Sequence, residues 1–280
     1  MKKILIGMVI VAAGAFAMPA QATDFIGKSN IDFFYAQLEG GYAFFDGAEM
    51  NEGGTPVLQP SGGAYGTALL GHVSIDDGII YGYVDRAELW FSYFDQGDET
   101  NTTLINTISF ERDYWEVGTR FQHYYDQNAT NKMMWGFEPF YGEFSAKPVQ
   151  TGTQTLNGTV DQSIFGAMLS FEAERMIAPE TMLLLRAAGG VYGSNADYSV
   201  TGTSTISDSD DTVGFRGQLA VGLQHQVNAR TSVGVIGRLD YFSDVAIPDR
   251  ATGNSTLRND DLVNVSLGVN LNYIFGGTYE

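Results

Sequence analysis

Leu262-Val263-Asn264-Val265-Ser266-Leu267-Gly268-Val269-Asn270-Leu271-Asn272-Tyr273-Ile274-Phe275 decides the fold. Every odd position in it is apolar. Between Val263 and Phe275 every even one is small or polar except Ile274, the single lapse. A period of two over such a length is a strand with one greasy face and one wet face. Ordinary globular strands run to about five or six residues. A strand that crosses a bilayer at a tilt needs about 9–11. The stretch therefore predicts a membrane-crossing strand.

The pattern recurs along the chain. Asp32 to Asp46 sets Phe34, Ala36, Leu38, Gly40, Tyr42 and Phe44 against Gln37 and Glu39. Gly62 to Ile75 is read with Tyr65, Thr67, Leu69, Gly71, Val73 and Ile75 outward. Gly78 to Asp95 sets Ile79, Tyr81, Tyr83, Ala87, Leu89, Phe91 and Tyr93 against Arg86, Glu88 and Ser92. Asn106 to Tyr125 sets Trp115, Val117 and Phe121 against Glu116 and Arg120, and Lys132 to Ala146 sets Trp135 and Phe137 against Glu138. Val160 to Glu174, Glu180 to Tyr192, Thr212 to Val227 and Thr231 to Ser243 follow. Their polar faces hold Arg186, Arg216, Gln218, Arg238 and Asp240. With the stretch from Leu262, these segments predict about ten strands, the last closing onto the first.

Connections alternate in length. Asp76-Asp77-Gly78, Asp126 to Asn131, Ile177-Ala178-Pro179 and Asn228-Ala229-Arg230 are short and rich in turn formers. Gly47 to Ser61, Gln96 to Ile105, Lys147 to Thr159, Gly193 to Asp211 and Asp244 to Asp260 are long and polar. Strict alternation fits short periplasmic turns and long extracellular loops. The flanks of Gly193 to Asp211 are expected to prolong their strands as a hairpin beyond the bilayer. Lipid offers the backbone no hydrogen bonds, so a sheet inside it must close. The fold class expected is an all-β, transmembrane, antiparallel up-and-down β-barrel.

The N-terminal 22 residues read as a secretory signal peptide: Lys2 and Lys3, an apolar run from Ile4 to Phe16, and Ala20-Gln21-Ala22 as cleavage site. A short periplasmic segment, 23–31, and a barrel domain, 32–280, would follow. Removing Lys2 and Lys3 leaves 13 Lys+Arg against 33 Asp+Glu, a net charge of −20. So acidic a chain is a poor match to nucleic acid, whose binding rests on Lys and Arg neutralising phosphates. The chain has no cysteine, which excludes disulfides and thiol chemistry.

From Asp32 to Phe275 the chain resembles small bacterial outer-membrane β-barrels, porin-like and roughly ten-stranded. Such proteins usually end on an aromatic residue read by the assembly machinery. Tyr273 and Phe275 match, but Gly276 to Glu280 follow. The resemblance implies an outer-membrane location. The partners it implies are outer-membrane lipid and lipopolysaccharide, the assembly machinery, and small solutes or ions. Aromatic bands are expected at both headgroup levels, with Phe34, Phe121, Tyr125, Trp135, Tyr273 and Phe275 on the turn side. Phe44, Tyr65, Tyr93, Tyr141, Phe215 and Tyr241 form the other.

The polar faces converge on one candidate site, a charged lumen lined by Glu39, Arg86, Glu88, Glu116, Arg120, Glu138, Arg186, Arg216, Arg238 and Asp240. Two functions compete for it. One is a narrow pore or a structural membrane protein, since ten strands lie near the eight that side chains just fill. The other is a surface adhesin or receptor working through five loops. Omptin-type proteases are also ten-stranded barrels, with Asp and His at the extracellular rim. Here His72, His123 and His225 all fall toward the periplasmic ends, so the likeness to omptins is expected to stop at strand count. Neither His123 nor His225 has a serine in a recognisable arrangement. No enzyme, cofactor or metal is therefore expected. The acidic runs Asp95, Asp98, Glu99 and Asp208, Asp210, Asp211 lack the spacing of a calcium loop and read as solvated loops.

Overall fold

A computed structural model describes residues 31–279, apart from 48–49, 53–54, 59–61, 75–77, 81, 103–105, 128–129, 153–154, 202–204 and 252–253. The expected signal peptide and most of the 23–31 segment lie outside the described residues. The strands are β1 (Ile31–Gly47), β2 (Met50–Glu52), β3 (Thr55–Leu58), β4 (Gly62–Ser74), β5 (Arg86–Thr102) and β6 (Asn106–Gln127). They continue as β7 (Asn131–Gly152), β8 (Leu156–Ala178), β9 (Thr181–Thr201), β10 (Thr205–Asn228), β11 (Thr231–Ala251) and β12 (Asn254–Tyr279). All but β2 and β3 form the wall, each antiparallel to both neighbours. The wall closes where β1 pairs with β12, from Gly47 opposite Leu262 to Ile31 opposite Tyr279. This is the closed ten-stranded barrel that the alternation demands.

The outer face carries the apolar set. Leu38, Leu70, Leu89, Phe165, Leu169, Val191, Leu219, Leu267 and Val269 are all exposed, as lipid-facing side chains must be. On β12 the deciding stretch behaves as its period requires. Val265 to Phe275 point out at odd numbers, while Asn264 and Ser266 are buried inside. Ile274, the lapse, packs against the interior apolar cluster.

The second segment faces the other way from its expected orientation. Tyr65, Leu69 and Val73 are buried, and Leu70 is exposed. Both faces of β4 are apolar, so alternation alone does not orient it. Register does: Thr67 lies opposite the buried Glu39 and Leu69 opposite Gln37. Directly opposed residues share a face. Tyr65 consequently belongs to the lumen and not to an aromatic band. There its hydroxyl donates to Glu39 Oε1 at 2.8 Å.

Two inward rings lie over glycines, Tyr35 over one on the adjoining β4 and Tyr65 over one on β12, two strands away. A Cβ on Gly71 would stand 2.2 Å from Cζ of Tyr35, and one on Gly268 2.1 Å from the Tyr65 hydroxyl oxygen. Both rings are pinned at their far ends by carboxylates, Tyr35 by Glu88 and Tyr65 by Glu39. They cannot swing aside without losing those bonds. Gly71→Ala is expected to destabilise the barrel by about 1–3 kcal/mol, the usual range for overpacking. An unfolding titration in lipid vesicles reads this directly; an unshifted midpoint would show that Tyr35 has another seat.

The third segment starts later than its period suggests. Gly78 to Asp85 form the connection before β5, with Ser74 N donating to Asp85 O at 2.8 Å and Tyr83 N to Ile80 O at 2.9 Å. Ile75, expected to face outward, lies outside the described residues. Gly78 and Gly82 both take positive φ here, which an L side chain resists. Apolar Ile79 and Tyr83 extended the pattern into what is a turn.

The long polar connections are largely strand. β6 and β7 have 22 residues each, β10 has 24 and β12 has 26. At about 3.3 Å per residue, 22 residues measure roughly 70 Å along the strand. The apolar band of such barrels is only about 25 Å tall. The wall therefore rises well beyond the membrane as stiff hairpins, not only at Gly193 to Asp211.

Candidate functional site in the lumen

All ten of the charged residues named from the sequence project inside, where the structure gathers them into three groups. The first is periplasmic. Arg86 contacts Glu88 at 2.5 Å, Glu172 at 3.0 Å and Glu174 at 3.2 Å. Arg120 bridges Glu88 at 2.5 Å and Glu138 at 2.9 Å, and Arg186 also pairs with Glu138. Lys132 ends the chain of charges on Glu174 at 3.6 Å. The second joins Arg238 to Glu39 at 2.5 Å, beneath Tyr65. The third sets Arg216 against Glu116 at 2.6 Å and Asp240 at 3.7 Å.

Acids and bases alternate throughout, because an isolated buried charge costs several kcal/mol and a hydrogen-bonded pair much less. Glu138 is completely buried, Arg216 almost so. Arg216 is further clamped between rings, 4.7 Å from the Phe140 centroid and 4.8 Å from that of Phe242. Each contact is a cation–π geometry in a dry setting. Tyr114, Phe144, Tyr192 and Phe242 interlock around it at centroid separations of 4.2–6.3 Å. Arginine plus rings make a solid layer across the barrel.

A second obstruction lies above. Among the described residues, β10 and β11 pair only up to Arg216 opposite Phe242. Beyond it β11 bulges between Phe242 and Val245, with Asp244 at positive φ, and the β11–β12 hairpin turns inward. It reaches β8, three strands away around the wall. There the Gln162 amide donates to Asp244 O at 3.1 Å and accepts from Ala246 N at 2.9 Å. Val245 and Ile247 are fully buried on one side of the hairpin, and Ala246 on the other packs with Phe110, Val160 and Tyr198. β2 extends this sheet beside β11, Asn51 pairing with Asp249, and Leu58 of β3 enters the upper apolar cluster. The connection Gly47 to Ser61, expected as a loop, is thus partly a plug.

Glu172, Glu174, Lys132 and Tyr35 take part without having been singled out, and Tyr65 takes part although it was expected on the outer face. The first two stand at alternating positions around Ala173 on a segment whose polar face was legible. The tyrosines gave no such signal, since an apolar ring with a hydroxyl fits either side of the wall.

The three histidines sit at the turn end of the wall. His72 meets Asp32 at 2.8 Å and stacks on Phe34 at 4.2 Å; His123 meets Asp85 at 2.8 Å; His225 meets the Thr181 hydroxyl at 3.1 Å. The acidic runs accept hydrogen bonds, one from its own strand and two from β12. Asp95 accepts from Gly97 N at 2.8 Å, Asp208 from Leu257 N at 3.0 Å, and Asp210 from the Asn259 amide at 2.7 Å. Among the described residues no three His, Asp or Glu side chains are gathered as a metal would require.

The fold is that of bacterial outer-membrane β-barrels. No protein-family model and no curated protein matches the sequence. The chain is similar in fold to the outer-membrane protease OmpT of Escherichia coli, with a TM-score of 0.56 at 11% identity, over 91% of this chain and 100% of the other. The translocator domain of the autotransporter NalP of Neisseria meningitidis gives 0.43 at 10% identity, over 90% and 91%. The attachment invasion locus protein Ail of Yersinia pestis gives 0.25 at 10%, over 85% and 98%. The OmpT match overturns the expectation of a chain with no enzymatic role, since the likeness in fold to that protease spans 91% of this chain and the whole of the other. At 11% identity the likeness is one of fold.

Proposed function

We propose that this is an outer-membrane barrel that does not conduct and works as a surface recognition protein through its extracellular hairpins. The observation that carries the reading is obstruction at two successive levels: the Arg216 layer with its rings, and the infolded β11–β12 hairpin above it. A narrow pore would need a continuous polar path, whereas these layers are dense and partly apolar. The remaining surface with reach is the projecting wall.

That wall is acidic and pays little heed to self-repulsion. Asp161 lies directly opposite Asp197, both exposed, and Asp95 lies opposite Asp113. Like charges directly opposed destabilise a sheet. Keeping them suits a surface that meets a cationic partner. The polar collar just above the apolar band also suits contact with outer-membrane lipid and lipopolysaccharide.

A lysine-rich polypeptide, titrated against the protein in lipid nanodiscs, tests the reading. Binding is expected at low ionic strength, falling as salt rises. The triple variant Asp161→Asn, Asp197→Asn, Asp211→Asn should weaken it severalfold. Absence of binding, or binding untouched by the variant, would remove the cationic-partner reading.

A further inference from the structure

Above the Arg216 layer the wall carries an open seam. β10 pairs with β9 from Thr205 opposite Thr201 to His225 opposite Thr181. Its other edge is covered by β11 only as far as Arg216 opposite Phe242, where β11 bulges and turns inward. Among the described residues no strand takes its place, so β10 is one-sided from Phe215 to Thr205. Two bonds fix the direction of its backbone groups. Gln226 N donates to Glu180 O at 2.8 Å, so even residues of β10 turn toward β9. Phe215 N donates to Ser243 Oγ at 2.8 Å, so odd residues face the side that β11 vacates. Ser207, Ser209, Asp211 and Val213 therefore present N–H and C=O along the seam. Ser209 N meets the neighbouring Asp208 carboxylate at 3.0 Å, a local stand-in for a strand. Natural sheet edges are blunted by lysine, proline or a covering element. Ser207 to Val213, Ser-Asp-Ser-Asp-Asp-Thr-Val, has no lysine, arginine or proline.

We propose that this edge takes up an extended, lysine-rich segment of a cationic protein as an added strand. The inference rests on the cationic-partner reading above and names where and how that partner is held. Main-chain bonds to a sheet edge supply affinity, and alternate side chains supply selectivity. On the outward face Asp161, Asp197 and Ser209 form one cross-strand row that ends at the seam, and Asp211 stands two residues nearer the membrane on β10 itself. A strand laid against β10 sets every second side chain on that face, beside Asp211 and Asp197, where opposite charge is favoured. Ser207 to Val213 offers about 24 Å of edge. A second copy fits worse. Two β10 edges paired antiparallel would gather Asp208, Asp210 and Asp211 of both chains, and like charges opposed across strands destabilise a sheet.

The probe is a seven-residue peptide alternating lysine with threonine or valine, titrated at low ionic strength against folded protein in lipid nanodiscs. It is compared with the same peptide N-methylated at every backbone amide, which keeps the charge and removes the donors. The unmethylated peptide is expected to bind about tenfold more tightly, the effect of a few net main-chain hydrogen bonds. Ser209→Pro and Val213→Pro each remove one edge donor while β9 keeps its bonds, since those belong to even residues. Each should weaken the unmethylated peptide severalfold and leave the methylated one unchanged. Equal binding of the two peptides, untouched by either proline, would overturn strand addition and leave the acidic-surface reading standing. No binding of either peptide would overturn both. A dimer formed without peptide and abolished by Ser209→Pro would assign the edge to a second copy and overturn the proposal. The peptide comparison needs no variant, so it decides the matter even where a proline fails to fold.

Discussion

Arg216→Ala is expected to lower the unfolding free energy by about 3–5 kcal/mol, the largest single effect in the protein. Removing one partner of a buried ion pair leaves the other charge without compensation in a poor dielectric. Here two carboxylates, Glu116 and Asp240, would be left facing each other across the space the guanidinium filled. Phe140 and Phe242 would lose their shared cation as well. The second half of the expectation is sharper. Arg216→Met combined with Glu116→Gln and Asp240→Asn should recover most of the loss, because apolar or neutral replacement of a whole buried ionic group is often tolerated. Denaturant unfolding in lipid vesicles measures both. A small effect of Arg216→Ala would mean that water reaches the site, and the solid layer would not exist.

The second large effect belongs to the outer face. Leu219→Arg and Leu267→Arg should each cost about 2–4 kcal/mol, the range for arginine on a barrel's lipid face at mid-membrane. Both leucines are exposed, in the middle of the apolar runs of β10 and β12. Polar replacement at Gln218, on the opposite face, should be mild by comparison. A similar loss at Gln218→Asn would contradict the facing assignment.

The period of two carried most of the fold. It located the wall strands, and on β12 it gave the right face residue by residue. Where it failed, another interaction decided. β4 is apolar on both sides, so only its register against Glu39 on β1 orients it. Ile79 and Tyr83 prolonged the pattern into a turn that two positive-φ glycines close. The charged lumen was legible because arginine and glutamate inside a membrane strand have one place to go. The tall extracellular walls were not. Their residues are polar on the outward face, and polarity outside a membrane reads equally as loop or as solvated hairpin. Least legible was the inward turn of β11. It depends on a bulge at Ser243-Asp244 and on Gln162 some eighty residues earlier in the chain, a non-local pairing that no window of sequence contains.

The histidines show the same limit from the opposite side. His72, His123 and His225 were placed at the periplasmic ends by counting along strands, and the structure has them there. Their partners Asp32, Asp85 and Thr181 come from other strands or turns, and only the register brings them within 2.8–3.1 Å.

In the proposed reading the lumen is sealed at the Arg216 layer and again by the β11–β12 hairpin. Single-channel recording across a planar bilayer tests it most directly, with folded protein inserted from detergent and a salt gradient applied. No discrete conductance steps are expected from the intact protein in either polarity. Regular steps with a defined reversal potential would contradict it.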